Sequence, residues 1–261
     1  MTRCLPLTVA FALVACGPPE APETLDDLSS FLFEHVWDED EEYLEVGLAN
    51  LTSWLEDNFE ATHEGYGVTN LSQEAVSSLE GDSRSVEGLM GAAVGYDVGY
   101  PTDDVVEAMV FEDPLVLYPG DYELYTRDFQ SETECFMSRD CMTLEFLQHV
   151  IVNYPLGIQV DAKSRTQYHW VPTPHGMAVV YRNWSREPPA INKSWLTVDQ
   201  QYFMAVSMPK ADGTTRRVEA MWVKAEIGSA DVPEGMALNM TIDTMLSTGP
   251  KLEAYFENRE E

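Results

Sequence analysis

Basic residues are scarce in this sequence. Its 261 residues include 15 lysines and arginines against 45 aspartates and glutamates, so the formal net charge is −30. A protein this acidic repels the phosphates of nucleic acids, and it repels anionic lipid headgroups for the same reason. The composition therefore predicts no nucleic-acid partner.

The motifs of common catalytic and cofactor sites are also missing. The sequence has no Gly-x-Ser-x-Gly elbow, no His-Glu-x-x-His helix and no glycine-rich phosphate loop. His169 and His175 flank a proline-rich turn, but no third residue completes the spacing of a zinc site. We predict no catalytic residue, no cofactor and no metal site. A non-enzymatic protein is favoured, and an enzyme with an unrecognised site is the alternative.

Apolar runs of membrane-spanning length, about 20 residues, are absent. The N-terminal run is shorter: Arg3 is the only charge before Cys16, and Leu5–Ala15 is largely apolar. The run ends in Leu13-Val14-Ala15-Cys16, which resembles the lipobox of a bacterial lipoprotein signal peptide. The resemblance implies that residues 1–15 are removed and that Cys16 carries lipid. An ordinary secretory signal is the alternative.

The lipobox resemblance also implies a location. Acyl chains on Cys16 would anchor the protein stably in a membrane of the cell envelope, outside the cytoplasm. Gly17, rather than aspartate, follows the cysteine, which favours the outer membrane. Residues 16–24 contain three prolines and are expected to form an extended tether.

Few cysteines are left after this processing. Cys4 would leave with the signal peptide and Cys16 would carry lipid, so Cys135 and Cys141 remain of the four cysteines. An oxidising compartment favours a disulfide between them. Because redox-active pairs are more often spaced Cys-x-x-Cys, we predict a structural clip.

Residues 25–87 combine acidity with helical spacing. From residue 17 to 87 there are 19 acidic residues and one basic residue. Four leucines recur at helical intervals and form one stripe for burial: Leu44, Leu48, Leu51 and Leu55. Ser72 is a predicted helix cap. We predict an acidic helical subdomain, either a domain of its own or a plug for a cavity. We expect this acidic subdomain to dock on the slightly basic stretch 148–226 or on a protein partner.

Residues 88–261 are predicted to contain a strand, short helices, an antiparallel meander and a last helix. The strands are predicted at residues 91–100, 143–154, 157–170, 177–184, 195–208 and 216–227. A short helix is predicted at residues 121–129, and Gly249-Pro250 is expected to kink or break the last helix. Arg216 and Arg217 are interpreted as a solvated strand end.

This order of elements resembles the START-like (SRPBCC) superfamily over about residues 88–261. The resemblance implies an α+β helix-grip fold, in which a curved antiparallel sheet wraps a long C-terminal helix around an apolar cavity. No family motif fixes the ligand residues. Aromatic and methionine side chains suit such a pocket, although they also fill ordinary cores. The candidate ligand-binding residues are Trp170, Tyr181, Tyr202, Met204, Trp222 and Met240.

Together these observations predict an envelope lipoprotein that binds a lipid or another apolar small molecule without catalysis. The cavity would lie between the sheet and the C-terminal helix, within tether reach of the membrane. The alternative is a structural or assembly lipoprotein whose acidic helical part docks a protein partner.

Overall fold

The computed structural model describes residues 20–228 and 236–260, so the predicted signal peptide and Cys16 lie outside the described residues. The described helices are α1 (Leu25–His35), α2 (Glu42–Asn58), α3 (Gln73–Ser77), α4 (Thr102–Phe111), α5 (Pro114–Leu117), α6 (Thr133–Ser138) and α7 (Met236–Glu260). The described strands are β1 (Tyr66–Val68), β2 (Met90–Val98), β3 (Tyr122–Phe129), β4 (Thr143–Tyr154), β5 (Ile158–Thr173), β6 (Gly176–Ser185), β7 (Ala190–Ile191), β8 (Leu196–Pro209) and β9 (Thr215–Ile227).

All nine strands form one antiparallel sheet. Its order is β1-β2-β9-β8-β6-β5-β4-β3, and β7 pairs with β5 beside the end of β6. The sheet curves around α7, which is the α+β helix-grip arrangement expected from the sequence. Alternate residues point to opposite faces of a strand. We call the face toward α7 the inner face and the opposite one the outer face.

The N-terminal helices cover the outer face. Phe33 of α1 packs edge-on against Tyr202 of β8 and Trp222 of β9, with ring centroids 6.0 and 5.7 Å apart. Buried leucines of α1 and α2 belong to the same hydrophobic core as these strands. Strand β1 extends the sheet by pairing with β2. Helices α1 and α2 therefore share their core with the sheet on the face opposite α7, while Gly65, before β1, lies against Ile242 of α7.

Two arginines hold this N-terminal part in place. Arg182, on β6, donates hydrogen bonds of 3.0 Å to the carbonyls of Phe33 and Glu34 at the end of α1. A cation there also complements the dipole of the helix. Arg84 is paired with buried Asp82 and donates to the Ser185 carbonyl at 2.6 Å. The acidic stretch is therefore held on the sheet by Arg182 of β6 and by its own Arg84, which donates to a carbonyl of β6.

Helix α7 packs on the inner face near β2. Its Leu252 and Met245 are buried, and Phe256 stacks on Tyr100 at 4.4 Å between centroids. A Cβ atom at Gly249 would lie 2.7 Å from the Tyr96 ring, so only glycine allows this close approach. The helix runs through Pro250 without ending, which corrects the predicted break.

Several predicted elements are confirmed, and one is wrong. The strand predicted at residues 143–154 is β4, and Ser72 caps α3 by accepting a 2.8 Å hydrogen bond from the Ala75 amide. Residues 121–129, predicted as a helix, instead contain β3. This segment pairs with β4 at the edge of the sheet and contains a bulge between Tyr122 and Leu124. Pairing with β4 outweighs the weak local preference of so short a segment.

The predicted disulfide between Cys135 and Cys141 is present, with Cα atoms 5.2 Å apart. It closes the chain around the end of α6. There Phe136 stacks on Trp170 at 5.4 Å, and the indole of Trp170 donates a 3.0 Å hydrogen bond to the Phe136 carbonyl. The clip therefore fixes α6 against the inner face of β5.

Candidate binding cavity

A cavity of about 190 Å³ lies between the inner face of the sheet and α7. A cavity of about 150 Å³ in another protein holds one benzene molecule, so this space suits on the order of ten non-hydrogen atoms. It is lined by both Gln148 and Tyr154 of β4. The six residue steps from Gln148 to Tyr154 span roughly 20 Å at the rise of a strand. The cavity is therefore long and narrow.

Tyrosines form much of its wall. Those that line it are Tyr118, Tyr122, Tyr125, Tyr154, Tyr168 and Tyr181. Burial raises the pKa of every one of them, that of Tyr154 to about 12, so the phenols are neutral at pH 7. Four of the hydroxyls make no hydrogen bond within the described residues and are open to the cavity: those of Tyr118, Tyr122, Tyr154 and Tyr168.

A buried ion pair lies in the same wall. Arg217 and Glu219 of β9 are 0% and 2% exposed, and Nη2 of the arginine is 2.8 Å from Oε1 of the glutamate. The Tyr96 hydroxyl donates to the same oxygen at 2.6 Å. Burial alone would lower the pKa of Arg217, but the neighbouring Tyr96, Tyr181 and Glu219 raise it above its usual value. The sequence-based interpretation of Arg217 as a solvated strand end is wrong.

One row of residues across the inner face is polar. Arg127, Gln148, Ser164 and Ser185 are paired in register on β3, β4, β5 and β6, and all four line the cavity. The Tyr125 hydroxyl donates to Gln148 Oε1 at 2.7 Å. We call these four residues the polar row. It crosses the cavity between two groups of lining residues, because Tyr168 and Tyr181 lie on one side of the row and Tyr154 lies on the other.

The end of the cavity at Tyr154 is apolar. Val150, Val152, Val160 and Ala162 line it on β4 and β5. A smaller cleft adjoins this end and shares four lining residues with it: Tyr154, Val160, Gln201 and Met221. The rest of the cleft is mostly apolar, with Ile158, Trp195, Leu196, Val198, Val223, Ile227 and Met240 among its residues. The cavity thus grades from polar to apolar along β4.

The structure separates the six candidate residues predicted from the sequence. Tyr181 lines the cavity and Met240 lines the adjoining cleft. Trp170 points from the inner face but lies beyond the cavity, packed against Phe136 of α6. That Tyr181 and Met240 contact a ligand stays a prediction.

The remaining candidates lie on the outer face, which corrects their sequence-based placement. Tyr202, Met204 and Trp222 belong to the core beneath α1 and α2. Their inner-face neighbours on the same strands, such as Phe203 and Met221, line the cavity instead. Since both faces of β8 and β9 are buried, hydrophobicity alone gives no sign of which set faces the cavity.

Sequence reasoning also missed the polar groups of the site. Arg127 was inside a segment predicted as a helix, and Arg217 and Glu219 were not recognised as buried. Their spacing could have revealed them, because residues two apart on a strand share one face. Arg217, Glu219 and Met221 have this spacing on β9, and all three line the cavity.

Two further features of the described residues bear on the site. Residues 20–228 and 236–260 contain no group of three histidine, cysteine, aspartate or glutamate side chains placed to hold a metal ion. In the same ranges no helix has the length and apolar character needed to cross a bilayer.

Comparison with known proteins gives similarity at the level of the fold only. No protein-family model matches this chain, and neither does any curated protein. The STAR-related lipid transfer protein of Xanthomonas axonopodis is 12% identical with a TM-score of 0.43, over 67% of this chain and 96% of its own. The lipid transfer and protein localization domain of human StarD13 is 11% identical with a TM-score of 0.41, over 79% and 95%. A START superfamily protein of Mycobacterium smegmatis is 8% identical with a TM-score of 0.39, over 64% and 97%. Values this low carry no functional argument for this chain.

Proposed function

We propose that this protein is a membrane-anchored envelope lipoprotein that binds one small molecule with an apolar body and catalyses no reaction. The observation that supports the proposal is the inner cavity, whose wall carries tyrosine hydroxyls that have no hydrogen-bond partner among the described residues and are open to the cavity. A molecule that enters can hydrogen-bond to these hydroxyls while its apolar part is removed from water. The cavity is therefore suited to a small molecule with an apolar body.

The size and shape of the cavity narrow the class of ligand. A space of about 190 Å³ that extends along β4 from Gln148 to Tyr154 accommodates a single chain or one ring system. A lipid with two acyl chains needs a larger space, since pockets for drug-sized ligands already measure about 300–1,000 Å³. The proposed ligand is therefore a small amphiphile or a single-chain lipid.

Protein docking through the acidic helices has less support. The apolar residues of α1 and α2, such as Leu28, Leu32, Leu48 and Leu51, are already buried against the outer face. These helices therefore use their apolar stripes within the chain, and binding in the inner cavity is the preferred function.

The cavity is tested by filling it. Ala162 lines the cavity on β5, and Ala190 is exposed on the neighbouring β7. The full chain carrying Ala162→Phe, the matched control Ala190→Phe and the unmodified chain are purified and measured by native mass spectrometry. We expect a co-purified small molecule in the unmodified chain and the control, and its loss in Ala162→Phe. A molecule retained equally by all three chains contradicts binding in the cavity.

The anchor is tested at the cysteines near the start of the chain. Cells producing the protein are fed an alkyne-tagged fatty acid, and labelling is compared for the unmodified chain, Cys16→Ser and the matched control Cys4→Ser. We expect label and membrane association in the unmodified chain and in Cys4→Ser, and neither in Cys16→Ser. Labelling that persists in Cys16→Ser contradicts the proposed lipidation.

A further inference from the structure

We propose that the ligand is a single-chain carboxylate, with its carboxylate at the polar row and its chain directed toward Tyr154 and the apolar cleft. This inference rests on the proposed function and names the chemical class that the same cavity selects.

The charged side chains around the cavity include one cation without a carboxylate partner. Four ionisable side chains other than tyrosine line the cavity: Asp121, Arg127, Arg217 and Glu219. Glu219 is paired with Arg217 at 2.8 Å, and Asp121 is paired with Lys251 at 2.5 Å. No carboxylate among the described residues forms an ion pair with Arg127. The cavity of a strongly acidic protein therefore contains one uncompensated cation.

The surroundings of Arg127 leave its charge available. Its Nη1 and Nη2 donate to the backbone carbonyls of Glu112 and Met109 at 2.9 and 2.8 Å, which positions the guanidinium at the end of α4. Its Nε is buried and has no hydrogen-bond partner among the described residues. The carbonyls at the end of α4 and the rings of Tyr125 and Phe146, whose centroids are 4.9 and 5.9 Å from the guanidinium carbon, offset part of this charge. None of these groups carries a formal charge, so an anion near Arg127 still gains a charge-assisted interaction.

Hydrogen-bond donors lie beside Arg127 in the polar row. Gln148 accepts from Tyr125 through Oε1, which leaves its amide nitrogen without a partner in the described part of the chain. The hydroxyl of Ser185 is also without a partner there, on a residue that is 3% exposed. Ser164 accepts a 3.0 Å bond from Asn183 and keeps its own proton to donate. A carboxylate accepts from all three, whereas an ammonium group accepts from none.

The negative charge nearest the polar row is compensated by a cation. Glu219 accepts a hydrogen bond from the same guanidinium that donates to Tyr181, and Tyr181 is four residues, roughly 14 Å of strand, from Ser185 along β6. Because Glu219 is neutralised by its 2.8 Å ion pair with Arg217, it does not repel an anion at the polar row.

The cavity lining becomes apolar on the Tyr154 side of the polar row. There β4 and β5 present valines and Ala162, and the cleft around Ile227 and Met240 continues the apolar lining. A carboxylate at the polar row with an aliphatic chain directed toward Tyr154 matches this part of the lining. The narrow cross-section admits one chain.

The test compares three probes that share an eight-carbon chain: octanoate, octanol and octylammonium. The full chain carries Cys16→Ser, so that no attached lipid competes, and binding is measured by titration calorimetry at pH 7 without detergent. A charge-assisted hydrogen bond is roughly twice as strong as a neutral one, so we expect octanoate to bind about tenfold more tightly than octanol. We expect no measurable binding of octylammonium.

Arg127→Gln is expected to weaken octanoate about tenfold more than it weakens octanol, which removes the advantage of octanoate. Ser185→Ala tests the polar row independently of the capping role of Arg127, and it is expected to weaken octanoate more than octanol. The inference is overturned when octanol binds as tightly as octanoate, or when neither variant changes their ratio. If none of the probes binds, the proposed function fails as well. If octanol alone binds, the proposed function stands and the carboxylate inference fails.

Discussion

The buried pair of Arg217 and Glu219 offers a quantitative prediction about how the cavity wall is stabilised. Arg217→Met removes the guanidinium that contacts Glu219, Tyr96, Tyr181 and Ser207. The carboxylate of Glu219 then stays buried with the Tyr96 hydroxyl as its only hydrogen-bond donor among the described residues. Leaving one member of a buried pair without its partner costs about 3–5 kcal/mol. We expect a loss of that size in the free energy of unfolding.

The double variant Arg217→Met with Glu219→Gln separates the pair from the packing around it. Without the buried charge, the glutamine still accepts from Tyr96, so we expect the double variant to recover at least half of the loss. Urea unfolding at pH 7, followed by tryptophan fluorescence, measures all four chains of the cycle. A single variant that costs less than about 1 kcal/mol, or a double variant as unstable as the sum of the singles, refutes the reasoning.

Three further predictions concern stability. Replacing Cys135 and Cys141 by alanine is expected to lower the free energy of unfolding by about 2 kcal/mol, because the closed loop is short; no change under oxidising conditions contradicts the clip. Arg84→Met leaves Asp82 buried beneath Tyr202 and is expected to cost about 3 kcal/mol in urea unfolding, whereas a cost near zero contradicts the anchoring role. Burial raises the pKa of Tyr154 from 10.0 to about 12, so the unfolded state loses its proton first and stability falls as the pH rises from 10 to 12. Tyr154→Phe is expected to remove on the order of 2 kcal/mol of that alkaline loss, and an unchanged pH profile contradicts the burial of this hydroxyl.

The fold was predictable from the sequence where the strands are long. Residues 143–154, 195–208 and 216–227 are each long enough to predict a strand, and a final helix follows them. The helix predicted at residues 121–129 shows the limit, because β3 is a bulged edge strand whose conformation depends on pairing with β4.

The site was less predictable because both faces of the central strands are buried. Tyr202 and Phe203 are adjacent on β8, yet the first packs under α1 and the second lines the cavity. The bulge between Val198 and Gln200 also reverses the alternation, so Leu196 and Val198 line the inner cleft while Gln200 points to the outer face. Assigning the faces requires knowing that residues 25–87 cover one of them. Which face they cover is a property of the tertiary structure, and the pattern of residues along a single strand does not contain it.

The central claim is that a small amphiphile occupies the space between the sheet and α7, and photo-crosslinking tests it most directly. The full chain with Cys16→Ser is irradiated with an eight-carbon alcohol that carries a diazirine on its chain, and the labelled peptides are sequenced. We predict label on inner-face residues of β4 and β5, such as Val150 and Ala162, with competition by unmodified octanol. Label confined to α1, α2 or the outer face, or label that octanol does not displace, contradicts the account.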